Sequence, residues 1–270
     1  IGGLAIGFST YFFLIIPAGH VTKAMALGFL APVIGGFYAI FRKQYWLGAP
    51  LVMLYGILSL TLHPQMTYYI FLLLGVMGIA ELYIHIREKR WKDLGISVGV
   101  LALSLLLVLG TKLSWMEMNQ NYLKETMRGG HSELTREGDD KSKPAGLDLD
   151  YATQWSYGKA ETLNTFIPDL MGGASGDGFS NDGPVAKSLA KYGARDIAGQ
   201  LPAYWGDQPY TAGPTYIGAV AIFLALLGIF LLKGRNKWWI IGVSILAIML
   251  AWGSNMMWFT ELAFKVLPGY

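Results

Sequence analysis

The chain is written for two solvents. Residues 111–212 hold 24 of its 39 charged side chains, and this polar segment separates five apolar stretches before it from two after it. A membrane helix needs roughly 17 to 25 mostly apolar residues, rising about 1.5 Å each, to cross about 30 Å of hydrocarbon. Seven stretches approach that length: residues 1–18, 24–41, 46–62, 66–86, 94–110, 215–232 and a shorter one at 238–253. Lipid offers backbone groups no partners, and these runs lack the alternation of a membrane barrel, so helices are expected. The sequence therefore predicts an all-α polytopic membrane protein with about seven transmembrane helices and a large, mostly helical or irregular extracytoplasmic loop. In domain terms, residues 1–110 carry five spans and 111–212 the loop. Residues 213–270 carry two more spans and the start of a further external or membrane segment.

Composition supports this. Hydrophobic residues make up 53% and charged residues 14%, against about 25% charge in soluble chains. The net charge of +3 is concentrated in short loops, which argues against a nucleic-acid partner and for the bilayer as the principal one. With no cysteine, the long loop has neither disulfides nor thiolate metal sites, and must be held by packing and hydrogen bonds.

The basic clusters are Arg42 with Lys43, then Arg87, Lys89, Arg90 and Lys92, then Lys233, Arg235 and Lys237. They fall in every second loop, and Lys and Arg mark the cytoplasmic side. That parity predicts three extracytoplasmic connections: 19–23, 63–65 and 111–212. Trp46, Trp91, Trp238 and Trp239 stand at span ends, as interfacial anchors do. Glu81 lies near a basic end, where snorkelling or pairing with His85 at i+4 would satisfy it. The spans show neither midplane ionisable groups nor paired helix breaks, so the chemistry is expected at the external surface. Because residue 1 is Ile within an apolar run, the chain is expected to be an internal fragment.

Three features converge on that surface. In Gly19-His20-Val21-Thr22-Lys23, His20 and Lys23 share a helical face at i, i+3, and an ammonium, an imidazole and helix-start amides all suit a phosphate; an interfacial lysine beside a capping histidine would use the same residues. In His63-Pro64-Gln65-Met66-Thr67-Tyr68-Tyr69, Pro64 suits a first helical turn and leaves His63 and Gln65 at the water boundary. The long loop interleaves aromatic and polar residues, with Gln154, Trp155, Glu161, Asp169, Trp205 and Asp207 as candidates for holding a sugar. A sugar packs its C–H face on Trp or Tyr while carboxylates and amides take its hydroxyls. An ordinary packed loop has the same composition. Residues 117–143 read as a solvated, charged excursion. Residues 184–192 read as a short helix. Phe179 stands where a calcium loop over 177–183 would need an oxygen ligand.

These segments, together with Tyr151-Ala152-Thr153-Gln154-Trp155-Ser156-Tyr157-Gly158 and the run from Tyr204 to Gly218, resemble the YfhO family of bacterial polytopic membrane proteins along essentially the whole chain. The resemblance implies a membrane domain similar to GT-C glycosyltransferases, in the bacterial cytoplasmic (inner) membrane. Such an enzyme takes a sugar from a polyprenyl-phosphate donor and transfers it to a cell-envelope acceptor at the external face. It implies a catalytic carboxylate upstream of residue 1 and leaves a divalent cation open as cofactor. On this reading His20, Lys23, His63 and Gln65 meet the donor phosphate. The alternatives are a lipid-linked-sugar flippase or exporter, and a noncatalytic envelope-assembly factor.

Overall fold

A computed structural model describes residues 2–123, 149–234 and 236–267, and all regular structure among them is helical. In chain order the α-helices are α1 (Gly2–Gly7), α2 (Thr10–Ile15), α3 (Val21–Gly28), α4 (Leu30–Phe41), α5 (Tyr45–Leu62), α6 (Pro64–Arg87) and α7 (Trp91–Gly110). They continue with α8 (Leu113–Leu123), α9 (Leu149–Ala152), α10 (Pro184–Ala190), α11 (Ala219–Leu231), α12 (Asn236–Ala251) and α13 (Met257–Val266). Among the described residues four helices are long and apolar enough to cross a membrane: Val21–Phe41, which runs through α3 and α4, then Tyr45–Leu62, Pro64–Arg87 and Trp91–Gly110. Counting the bent pair of α12 and α13 as one span gives up to five.

The chain forms two compact units, Val21–Ala152 and Ile1–His20 with Thr153–Tyr270. This division differs from the sequence borders at 110 and 213. Residues 124–148, most of the charged excursion, lie outside the described residues.

In the Val21–Ala152 unit the helices pack by letting backbones touch. A Cβ on Gly36 would come 2.8 Å from the Gly48 carbonyl, and one on Gly48 would come 2.6 Å from the Gly36 carbonyl, so α4 and α5 meet at two glycines. In lipid there is no hydrophobic drive between helices, and small residues that permit close approach supply van der Waals contact instead. The outward faces carry large exposed apolar side chains, such as Leu103 and Leu106 on α7. The two basic turns share one device. Lys43 and Lys89 adopt φ of +65° and +55°. Lys43 N–H donates to Ile40 O and Gln44 N–H to Ala39 O, while Lys89 N–H donates to Ile86 O and Arg90 N–H to His85 O. These are Schellman caps with lysine where glycine is usual. Lys43 compensates with an ion pair to Asp93 at 2.7 Å.

Glu81 is buried rather than snorkelled. Its Oε1 accepts from Arg42 Nη2 at 3.3 Å, and its Oε2 lies 3.6 Å from His85 Nδ1. The i+4 neighbour is therefore present, and Arg42, brought in from α4, supplies the charge.

In the other unit two stretches depart from simple spans. The first 18 residues form two short helices broken at Phe8 and Ser9, because Thr10 is engaged elsewhere: its N–H donates to Tyr216 O at 2.9 Å and its hydroxyl to Pro214 O at 2.9 Å. Residues 214–218 are correspondingly non-helical, so α11 has 13 residues, about 20 Å of rise against about 30 Å of hydrocarbon. After α12 the chain turns by 115° into the helical stretch Gly253–Val266. The short helix expected at 184–192 is present as α10, ending before Gly193 at φ +70°.

Replacing Gly48 with Val should lower stability by about 1 to 3 kcal/mol through overpacking against α4, whereas Gly35→Ala, where an added Cβ meets nothing within 4 Å, should stay within about 0.5 kcal/mol. Thermal unfolding in detergent reads both; equal effects would mean that α4 and α5 do not meet at these glycines.

Candidate functional site

The polar segment is fixed to the α12 end by backbone and hydroxyl groups of residues 156–162. Tyr157 N–H donates to Ala251 O at 2.8 Å, Ser254 N–H to Ser156 Oγ at 2.7 Å, Asn255 Nδ2 to Tyr157 O at 3.2 Å, and Trp252 Nε1 to Thr162 Oγ1 at 2.9 Å. Gly253, at φ +43°, lies directly against Ser156 Oγ, so a side chain there would displace the contact.

From this anchor the chain passes Gly158 into a 3₁₀ turn, Ala160–Thr165, that points Glu161 inward. Glu161 is 2% exposed. Its Oε2 accepts the Gly158 N–H at 2.6 Å, and its Oε1 accepts the Tyr204 hydroxyl. The Tyr204 oxygen in turn accepts the Gln208 N–H at 2.8 Å. One buried carboxylate thus ties residue 158 to the turn 204–208. Asp207 Oδ2 also reaches the Gly158 backbone, 2.6 Å from where a Cβ would stand, so both carboxylates border Gly158.

Around this clasp the other candidates take definite places. Trp155 is exposed and meets Tyr210 edge-on, with ring centroids 5.3 Å apart. Trp205 is 66% exposed, while its N–H donates to Met171 O and its ring edge lies over Gly172. Gln154 and Asp207 are exposed. Asp169 is exposed at φ +54°, opening the turn whose Gly172 N–H donates back to its carbonyl. The structure therefore joins Glu161 to Asp207 through Gly158, whereas it ties Asp169 only to the Gly172 turn.

The four phosphate candidates are divided between the units. His20 belongs to the unit of Ile1–His20 and Thr153–Tyr270, where its backbone N–H donates to Ile15 O and closes α2 behind Gly19 at φ +87°. Lys23, His63 and Gln65 belong to the Val21–Ala152 unit. Lys23 stands in the first turn of α3 and His63 caps α6 from an extended conformation. Gln65 Nε2 donates to Tyr69 OH at 3.1 Å.

Two tyrosines complete the site that sequence alone did not single out. Burial, and then the neighbouring Glu161 charge, push the Tyr157 hydroxyl up to about 12. Burial first, then donation to Glu161, push Tyr204 well above the usual phenol range. The available signal was weak: Gly158 three residues before Glu161, and a tyrosine beside Trp205. Nothing in the sequence pairs positions 43 residues apart. Among the described residues no cluster of three His, Asp or Glu side chains could hold a metal ion. No family model, curated relative or solved structure matches the chain, so the site is interpreted from its own geometry.

Removing the Glu161 carboxylate takes the acceptor from the buried Gly158 N–H and the half-buried Tyr204 hydroxyl. Glu161→Ala should destabilise this unit by on the order of 3 kcal/mol, seen as a lower midpoint of unfolding in denaturant; no shift would mean the clasp does not hold the turn. The pH response follows from the raised phenols. A raised pKa favours the neutral form in the folded state, so this contribution is complete below pH 10 and is lost as pH climbs through about 12 for Tyr157. In an absorbance titration the late-ionising part should shrink by one tyrosine in Tyr157→Phe and by one in Tyr204→Phe; loss of a tyrosine from the part that ionises near pH 10 in either variant would contradict this.

Proposed function

We propose that the protein is a GT-C-like glycosyltransferase of the YfhO kind, which takes a sugar from a polyprenyl-phosphate donor and transfers it to a cell-envelope acceptor. The observation that carries the proposal is the Glu161–Tyr204 clasp with Asp207, Trp205 and the Trp155–Tyr210 pair on the exposed loop around it. Exposed indole faces suit the C–H face of a pyranose, and fixed carboxylate and amide groups beside them suit its hydroxyls. Trp155 and Trp205 would pack the sugar, and Gln154, Asp169 and Asp207 would take its hydroxyls. Glu161, with both oxygens engaged by protein donors, is a positioning residue for the turn that bears Trp205 and Asp207.

In the proposed reaction an acceptor hydroxyl attacks the anomeric carbon, the bond from that carbon to the phosphate oxygen breaks, and the lipid phosphate departs with the electron pair. His20, Lys23, His63 and Gln65 are proposed to meet that phosphate on their sequence pattern. No residue of this chain is assigned as catalytic base. The accompanying topology has seven crossings in the bacterial inner membrane, basic turns inside, and residues 111–212 outside. Its sidedness is supported by the alternation of basic loops, and four to five of its crossings by the apolar helices among the described residues.

Transfer from a panel of labelled polyprenyl-phosphate sugars to envelope acceptors, using the full-length protein, tests this. Product is expected for the wild type. Lys23→Ala should weaken donor binding roughly ten- to hundredfold, the loss of one charge-assisted contact of about 1.5 to 3 kcal/mol. Asp207→Asn and Trp205→Ala should reduce transfer while leaving the unfolding midpoint within about 0.5 kcal/mol of wild type. Donor binding without product for any acceptor would overturn the transferase reading and favour movement of the lipid-linked sugar.

A further inference from the structure

The helix after the sharp bend is divided lengthwise into three faces. Thr260 and Ala263 of α13 are buried, at 1% and 5% exposure, against the rest of its own unit, with the Thr260 hydroxyl donating to Gly253 O at 2.7 Å. Trp258, Leu262 and Val266 follow at i, i+4 and i+8, a single apolar stripe, and are 64%, 49% and 66% exposed. Glu261 and Lys265, also exposed, form a second, charged stripe at i, i+4 beside it.

This three-way division selects the solvent. A helix crossing hydrocarbon would show lipid an exposed arc that is apolar throughout, and Glu261 and Lys265 interrupt it. A helix in water would have no use for a contiguous stripe of Trp, Leu and Val. A helix lying at the boundary needs both faces, side by side, with tryptophan at headgroup depth. Its ten residues span about 15 Å, half the hydrocarbon thickness. It is continuous with the apolar α12, whose exposed side chains include Trp238, Ile240, Ile245 and Ile248, and is turned 115° away from that axis. Gly253 makes the turn possible at φ +43°, and the Ser156 hydroxyl against it, with the Trp252 indole on Thr162, fixes the angle.

We propose that α13 is an interfacial helix. It lies along the membrane surface with Trp258, Leu262 and Val266 sunk into the headgroup and acyl boundary and Glu261 and Lys265 facing water. Sinking this stripe holds the α12–α13 corner, to which the polar loop is bonded, at a fixed depth. The inference is independent of the transferase reading and concerns only where this helix lies.

Because the chain has no cysteine, single cysteines can be introduced without background. Nitroxide labels at Trp258→Cys, Glu261→Cys, Leu262→Cys, Lys265→Cys and Val266→Cys are measured in the full chain in phosphatidylcholine/phosphatidylglycerol vesicles, with oxygen and a nickel chelate as collision reagents. The expected result is an oxygen-to-nickel ratio that is high at 258, 262 and 266 and low at 261 and 265, repeating with the helix. Leu262→Cys and Val266→Cys carry the test should the tryptophan variant misfold. High ratios at all five positions would place the helix within hydrocarbon, and low ratios at all five would place it in water. Protection of 258, 262 and 266 from both reagents would mean that protein, such as a second copy, covers the stripe. Each of these three outcomes overturns the proposal.

Discussion

A single buried carboxylate organises the polar part of this protein. Glu161 accepts from Gly158 on one oxygen and from Tyr204 on the other. It ties the turn that carries Trp205 and Asp207 directly to the anchored residues 156–158, beside the Trp205–Met171 backbone bond and the Trp155–Tyr210 ring contact. The cost of sequestering the charge is met by hydrogen bonds from the Gly158 N–H and the Tyr204 hydroxyl, which is the condition under which a buried acid is tolerated. The arrangement is local in space and distant in sequence, so it can form only after the loop has closed.

That closure is achieved without disulfides and among the described residues without strands, so the loop is held by close backbone approach. Gly172 stands against the Ala203 carbonyl, Gly178 against that of Gly199, Gly206 against the Glu161 carboxylate and Gly253 against Ser156. A β-carbon at any of these would displace a partner. The same economy operates between α4 and α5, where Gly36 and Gly48 bring two helices into backbone contact. Close packing takes the place of covalent cross-links in the loop and of hydrophobic collapse between the helices.

Much of the helical part was legible from sequence because its signals are one-dimensional. Unbroken apolar length marked α5, α6 and α7, and the Pro184-to-Gly193 pattern marked α10. The departures share a cause: a contact from far along the chain overrode the local pattern. Tyr216 and Pro214 capture Thr10 and break the first apolar run; the same contacts hold 214–218 out of the next helix. The bend after α12 is written in one glycine whose significance appears only when Ser156 is seen against it. In the site, exposed Trp155, Trp205 and Asp207 could be nominated from composition. The inward turn of Glu161 could not, because its hydroxyl partner is Tyr204, 43 residues away.

The two buried acids among the described residues show how environment sets the solution. Glu81, between apolar helices, is met by the guanidinium of Arg42. Glu161 is met by neutral donors, and among the described residues no cation pairs with it. It lies beside a second carboxylate, Asp207, at Gly158, a local setting that favours hydroxyl donors over anions. On the proposed function, the ligand of this loop is the hydroxyl-bearing ring of the sugar rather than the phosphate. If the donor is a phosphate-linked sugar, its sugar and its phosphate must be recognised by different residues. That separation gives a physical reason for the acidic, aromatic loop candidates and the basic, imidazole-bearing turns to form two distinct groups in the sequence.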